Sequence, residues 1–138
     1  MKKIKYIIVH CTATAEFKDF KAKDVDKWHK QRGWDCIGYH YLIDLDGTIE
    51  KGRPETKIGA HCKGFNDCSI GVCYVGGLAS DNKTPKDTRT NAQKASLLKL
   101  IKQLKAKYTN AKVVGHKDMP NVHKACPCFE AKREYNNI

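Results

Sequence analysis

The sequence predicts an α/β (α+β) fold in which one mixed central β-sheet is flanked by about three helices. Three observations carry this. Short β-branched runs at Ile4 to Val9, Ser69 to Val75 and Lys112 to Gly115 have the length and composition of buried strands. Stretches with apolar residues at helical spacing separate them. An Asp46-Gly47 pair inside an alternating segment marks a hairpin, because such a turn demands the positive φ values that glycine supplies.

In chain order, the run Ile4 to Val9 is a strand closed by His10, followed by the small polar segment Cys11 to Ala15 and a lysine-rich loop to about Ala22. Asp24 to Arg32 reads as a helix with Val25, Trp28 and His29 on one face and Gly33 placed as its C-terminal cap. Trp28 and Trp34 are expected to pack. Gly38 to Glu50 forms the hairpin. Arg53 to Asn66 lacks periodicity, carries Gly59 and Gly64, and is expected to be a long surface loop bearing His61.

Ser69 to Val75 is apolar at most positions, as a central strand should be, and Gly76-Gly77 ends it. A polar loop, Ser80 to Arg89, leads to Thr90-Asn91-Ala92-Gln93, which fits a capping box. The helix that follows has an apolar stripe of Leu97, Leu98, Ile101, Leu104 and Tyr108, with lysines opposite. Lys112 to Gly115 is the last strand, and a short helix over about Phe129 to Tyr135 ends the chain.

One domain suits 138 residues, a length at which about two-thirds of the unfolded surface can be buried. No stretch approaches the roughly 18 to 20 apolar residues of a membrane span, so membrane insertion is not expected. The basic Met1-Lys2-Lys3 is followed by a short strand and no small-residue cleavage site, so synthesis in a cytoplasm without a signal of its own is expected. Seven cysteines then read as thiols. Cys36, Cys68 and Cys73 suit small buried positions, whereas Cys62 and Cys128 fit either role. A net charge of +11 favours polyanionic partners without naming one.

The chemistry gathers near the C-terminus, in Val113-Val114-Gly115-His116 and Lys124-Ala125-Cys126-Pro127-Cys128. A catalytic zinc takes three protein ligands and leaves a fourth position open. Two strands that each end in a histidine can present His10 and His116 at one sheet edge, with Cys126 closing the set. His123 and Cys128 crowd the same loop, so ligand identity stays open between them and Cys126. Pro127 restricts Cys126 to extended conformations and opposes both thiols reaching one metal. A zinc deaminase would need His-x-Glu and Pro-Cys-x-x-Cys, and neither occurs.

Ile8-Val9-His10-Cys11-Thr12-Ala13-Thr14, Trp28-His29-Lys30, Gly33-Trp34, Gly38-Tyr39-His40-Tyr41, Asp46-Gly47-Thr48, Ser69-Ile70-Gly71-Val72 and Lys124-Ala125-Cys126-Pro127 together resemble the type 2 N-acetylmuramoyl-L-alanine amidases. The likeness is greatest to the small phage lysozymes of that family, which share the peptidoglycan-recognition-protein fold. The resemblance covers nearly the whole chain. It implies one zinc at the floor of a surface groove, held by His10, His116 and Cys126, with Tyr39 and Lys124 as catalytic residues. His61, Asn66 and Thr14 would line the groove and touch glycan or peptide.

The implied substrate is peptidoglycan, cut between the lactyl group of N-acetylmuramic acid and L-alanine of the stem peptide. Small size, charge and the missing signal suggest an endolysin that reaches the wall after the membrane is breached. The resemblance gives residues 1–138 as one amidase domain without a separate wall-binding module, and a monomer is expected. A non-catalytic recognition protein of the same fold is the alternative, although such members lack the cysteine ligand. The resemblance is also compatible with a second, nucleic-acid or polymerase-binding role, for which no local motif is present.

Overall fold

The computed structural model describes residues 3–138; Met1 and Lys2 of the basic N-terminal stretch lie outside them. Its strands are β1 (Tyr6–Cys11), β2 (Thr14–Ala15), β3 (Tyr41–Ile43), β4 (Ile49–Lys51), β5 (Ser69–Tyr74), β6 (Gly77–Leu78) and β7 (Lys112–Gly115). The helices are α1 (Ala22–Gln31), α2 (Asn91–Lys107) and α3 (Ala131–Glu134). Five strands form the main sheet in the order β4-β3-β5-β1-β7. β1 runs parallel to both β5 and β7, β3 is parallel to β5, and the β3–β4 hairpin is antiparallel. The mixed sheet expected from the sequence is present.

The two central strands explain their own composition. β5 is buried throughout and β1 at every position after Tyr6, as parallel strands covered on both faces must be. Side chains alternate across the sheet, so Ile7, Val9 and Cys11 join Leu97, Leu100, Ile101, Phe129 and Tyr135 in the core under α2 and α3. Ile8 packs on the opposite face with Cys62, Val114 and Met119. His10 shares the parity of Ile8, and that face carries the site.

The helix boundaries follow from side-chain caps. Thr90 Oγ1 accepts the Gln93 amide N–H at 3.0 Å, and Gln93 Oε1 accepts that of Thr90 at 2.9 Å. The buried Gln93 also donates to the carbonyls of Ile43 and Val75, tying α2 to the sheet. α1 begins two residues before its expected start because Asp24 sits in the first turn and accepts from the Lys21 N–H. Gly33, with φ +90°, follows the helix end.

Several expectations need correcting. On α2 it is Leu100 that joins the buried stripe, while Leu98 is 39% exposed; at 100° per residue it falls outside the face defined by Leu97, Ile101 and Leu104. Cys36 is half-buried rather than buried. Segment 53–66 is the expected surface loop, with Pro54, Thr56 to Ile58, Lys63 and Gly64 exposed, but it is anchored: buried Arg53 donates to the carbonyls of Ile37 and Ile58, and His40 Nε2 lies 2.9 Å from the Lys57 carbonyl. The parallel pair β2–β6 was not expected from the sequence, since two-residue strands carry no periodicity. No helix among the described residues is long and apolar enough to cross a membrane.

Candidate active site

Register brings the two histidines together. Val9 of β1 pairs with Gly115 of β7, so the next residue on each chain is His10 or His116, and their rings lie 4.5 Å apart between centroids. The loop after β7 returns Cys126 to the same point, where its Sγ accepts the Cys11 N–H at 3.2 Å and faces His10 Nδ1 at 4.0 Å. The ligand atoms of His10, His116 and Cys126 all fall within 4.8 Å of one another. Among the described residues this is the one group of His, Cys, Asp and Glu close enough to hold a metal.

The alternatives on that loop separate cleanly. Cys128 donates to the Gly77 carbonyl at 3.2 Å and meets Cys11 Sγ at 4.0 Å, on the core side of the sheet. His123 is exposed on the groove wall. Neither belongs to the cluster. The peptide between Cys126 and Pro127 is cis.

Hydrogen-bond direction fixes the free nitrogen of His10. Ser69 Oγ donates to the Phe65 carbonyl at 2.7 Å, so toward His61 Nε2, 3.2 Å away, it can only accept. His61 therefore carries its proton on Nε2 and accepts through Nδ1 from His10 Nε2–H at 2.9 Å. The lone pair of His10 Nδ1 is left pointing toward Cys126. Two neutral imidazoles and a thiol whose thiolate a backbone N–H would stabilise make a donor set that fits zinc with one position open to the groove.

Electrostatics favour the same states. Burial, reinforced by His61, His116 and Lys124, holds the His10 pKa well below its usual value. Burial and then Lys124 lower His116, and burial brings His61 down to about 3. All three are therefore neutral at pH 7, as metal ligands and their acceptors must be. Tyr39, just before β3, has its ring 5.1 Å from that of His10. Burial, then the neighbouring cysteines, raise its pKa well above the ordinary value, so it is a neutral phenol.

The groove above this floor has a volume of about 1060 Å³. His61 and Asn66 line it, as do Tyr39 and the exposed Lys124. Asn66 Oδ1 is already occupied, accepting the N–H groups of His61 and Cys62 at 2.8 Å each. Thr14 does not line the groove; its hydroxyl pairs at 2.7 Å with that of Thr12, which does. The Trp34 ring packs against that of His29, centroids 4.5 Å apart and tilted by 57°, and also lines the wall, beside Arg32. Ser69 and the Cys11 N–H carry no local signal in the sequence, because both act on segments distant along the chain.

Residues 1–129 match the family described as N-acetylmuramoyl-L-alanine amidase. The endolysin of Escherichia phage T7 is 44% identical over 128 residues, covering 92% of this chain and 82% of that one. The endolysin of Klebsiella phage KP32 is 42% identical over 127 residues, with the same coverage of 92% and 82%. Among solved structures, the N-acetylmuramoyl-L-alanine amidase LysC from Clostridium intestinale URNW superimposes with a TM-score of 0.80 at 32% identity, covering 96% of this chain and 81% of its own. With a family match over residues 1–129 and relatives of 42% and 44% identity, the chain belongs to the N-acetylmuramoyl-L-alanine amidase family.

Proposed function

We propose that the domain of residues 1–138 is a phage-type endolysin that hydrolyses the amide between the lactyl group of N-acetylmuramic acid and L-alanine of the stem peptide. One zinc ion would be held by His10, His116 and Cys126. The observation that carries this is the cluster itself, ligand atoms within 4.8 Å on the floor of an open groove, with a lone pair of His10 directed into it.

When bound, zinc supplies a nucleophile at neutral pH and a Lewis acid for the scissile carbonyl. The remaining work falls to the chain. Lys124, on the rim, places a positive charge where the carbonyl oxygen becomes an oxyanion. Tyr39, a neutral phenol, orients the attacking oxygen and passes a proton to the departing L-alanine nitrogen. Cleavage then yields a carboxylate on the lactyl group and a free amine on the stem. Arg32, Lys63 and Lys124 stand along the groove, and its lining residues include no Asp or Glu, which suits a stem peptide bearing free carboxylates.

The test is muropeptide release from purified sacculi, followed by mass spectrometry, with and without a chelator and beside a Cys126→Ser variant. Free stem peptides with a new L-alanine amine, lost on chelation and in the variant, are the expected result. Intact sacculi that retain bound protein would make the chain a recognition domain instead.

A further inference from the structure

Resting on the zinc reading above, we infer that His61 is a positioning residue for the ligand His10 rather than a contact for glycan or peptide. His61 lies between two groups that use both of its nitrogens: His10 Nε2 at 2.9 Å and Ser69 Oγ at 3.2 Å. The relay ends at the Phe65 carbonyl, so each proton in it has one place to go. A ring with both nitrogens occupied has none left for substrate. Backbone geometry holds the ring as well, since the His61 N–H is bound by Asn66 Oδ1. A Cβ on Gly71 would approach the ring to 2.7 Å, so β5 leaves room for the imidazole by having no side chain there. The relay fixes which nitrogen of His10 is free and makes that nitrogen more basic.

The test measures zinc affinity by chelator competition in the parent, His61→Ala, His61→Asn and Ser69→Ala. Removing the acceptor in His61→Ala weakens zinc binding about 10- to 100-fold. His61→Asn, whose Oδ1 takes the place of Nδ1, recovers most of that loss, and Ser69→Ala shows a smaller one. Nitrogen-15 NMR of the zinc-loaded parent should show His10 protonated at Nε2. Equal affinity in parent and His61→Ala, an Asn variant no better than the Ala variant, or a His10 proton on Nδ1 would overturn the role of His61. A parent that binds no zinc would instead overturn the zinc reading.

A separate observation concerns thiols the reaction does not use. The geometry points to Cys11 and Cys128 as a disulfide-forming pair. Their sulfurs are 4.0 Å apart, on the opposite side of β1 from His10. Gly77 makes space for them, since a Cβ there would stand 2.5 Å from Cys11 Sγ. Cys126 also approaches Cys11, but its sulfur faces His10 Nδ1 at 4.0 Å as well, and a bound metal would withhold it from exchange. Half-buried Cys128 is the accessible member and buried Cys11 the resolving one. A small-molecule disulfide RSSR is attacked by Cys128 to give Cys128–S–S–R and RSH; Cys11 then displaces the second RSH. The two thiols lose two electrons and two protons, and RSSR becomes 2 RSH. The bond would clamp the loop bearing Lys124 and Cys126 to the strand bearing His10.

Zinc-loaded protein incubated with oxidised glutathione and digested without reduction tests this. A peptide pair joining Cys11 to Cys128, two hydrogens lighter, is expected together with a Tm raised by about 5 °C or more. Cys128→Ser should lose both. Cys11 linked to Cys126, or Cys11 and Cys128 both still alkylated after denaturation, would overturn the pairing.

Discussion

His10 and His116 stand side by side, ring centroids 4.5 Å apart, because each follows one member of the Val9–Gly115 pair in the parallel β1–β7 ladder. The sheet thus preorganises two of the three proposed ligands, and Cys126 depends on a loop. Replacing the histidine that follows β7 and replacing the loop cysteine should therefore both cut activity severely. His116→Ala and Cys126→Ser are each expected to lower kcat/KM at least about 100-fold and to bind zinc below stoichiometry. Chelation should lower the Tm of the parent, since a metal present at 100 times its Kd stabilises by about 2.7 kcal/mol. Metal analysis and calorimetry check this; a parent whose Tm ignores the chelator would contradict it.

Tyr39 contributes a ring and a hydroxyl, and the two can be separated. Its ring packs between His10, at 5.1 Å, and His29, at 5.5 Å, whereas its phenol is held neutral by burial. Tyr39→Phe keeps the packing and removes the proton. We expect kcat to fall about 10²- to 10⁴-fold with KM and zinc content nearly unchanged. Steady-state kinetics on a soluble muramyl peptide decide it, and a loss confined to KM would make Tyr39 a binding residue.

Buried neutral histidines make the fold acid-sensitive. His29 Nδ1 accepts the Gly38 N–H at 2.8 Å, and burial, followed by the charges of Arg32 and Arg53, brings its pKa down to about 4. His40 accepts from the Gly71 N–H and is lowered by burial too. In the unfolded chain both titrate near 6.5. Below that value the unfolded state binds more protons, so the stability these residues contribute is complete above pH 6.5 and is lost as pH falls, for His29 down to about 4. Melting curves from pH 8 to pH 4.5 should show that decline. His29→Asn, which keeps an acceptor for Gly38 and cannot protonate, should flatten part of it, and an unchanged slope would count against the assignment.

Much of this site was legible because its parts obey local rules. The β-branched runs announced β1, β5 and β7, and the Asp46-Gly47 turn announced the hairpin. A histidine at the end of each of two parallel strands then implied adjacency. What stayed hidden depends on contacts between distant segments. His61 looked like a free loop residue because nothing near it in sequence shows that Gly71 lacks the side chain that would displace it. Arg53 looked like a loop cation, yet it is buried because its guanidinium satisfies carbonyls at positions 37 and 58. Thr14 was expected at the groove from the family resemblance, but strand pairing with Gly77 carries it away from the lining.

Arg89 closed the expected polar loop and is instead a buried fastener behind the site. Its guanidinium carbon sits 3.4 Å from the centroid of Phe129, three residues beyond Cys126. Its nitrogens donate to Asp87 at 2.9 Å and to Glu134 at 2.7 and 3.0 Å. It thus ties the segment before α2 to α3 and to the end of the ligand loop. Lysine cannot reproduce a planar fork that bonds two carboxylates while stacking on a ring. Removing one partner of a buried ion pair costs about 3–5 kcal/mol, but Asp87 and Glu134 are 34% and 44% exposed and can regain water. Arg89→Lys should therefore cost about 2 kcal/mol, below the range for full burial. In urea the midpoint should fall while the m value holds. Because Phe129 is so close to Cys126, zinc affinity should also weaken; a variant as stable as the parent would show that the stack and its ion pairs contribute little.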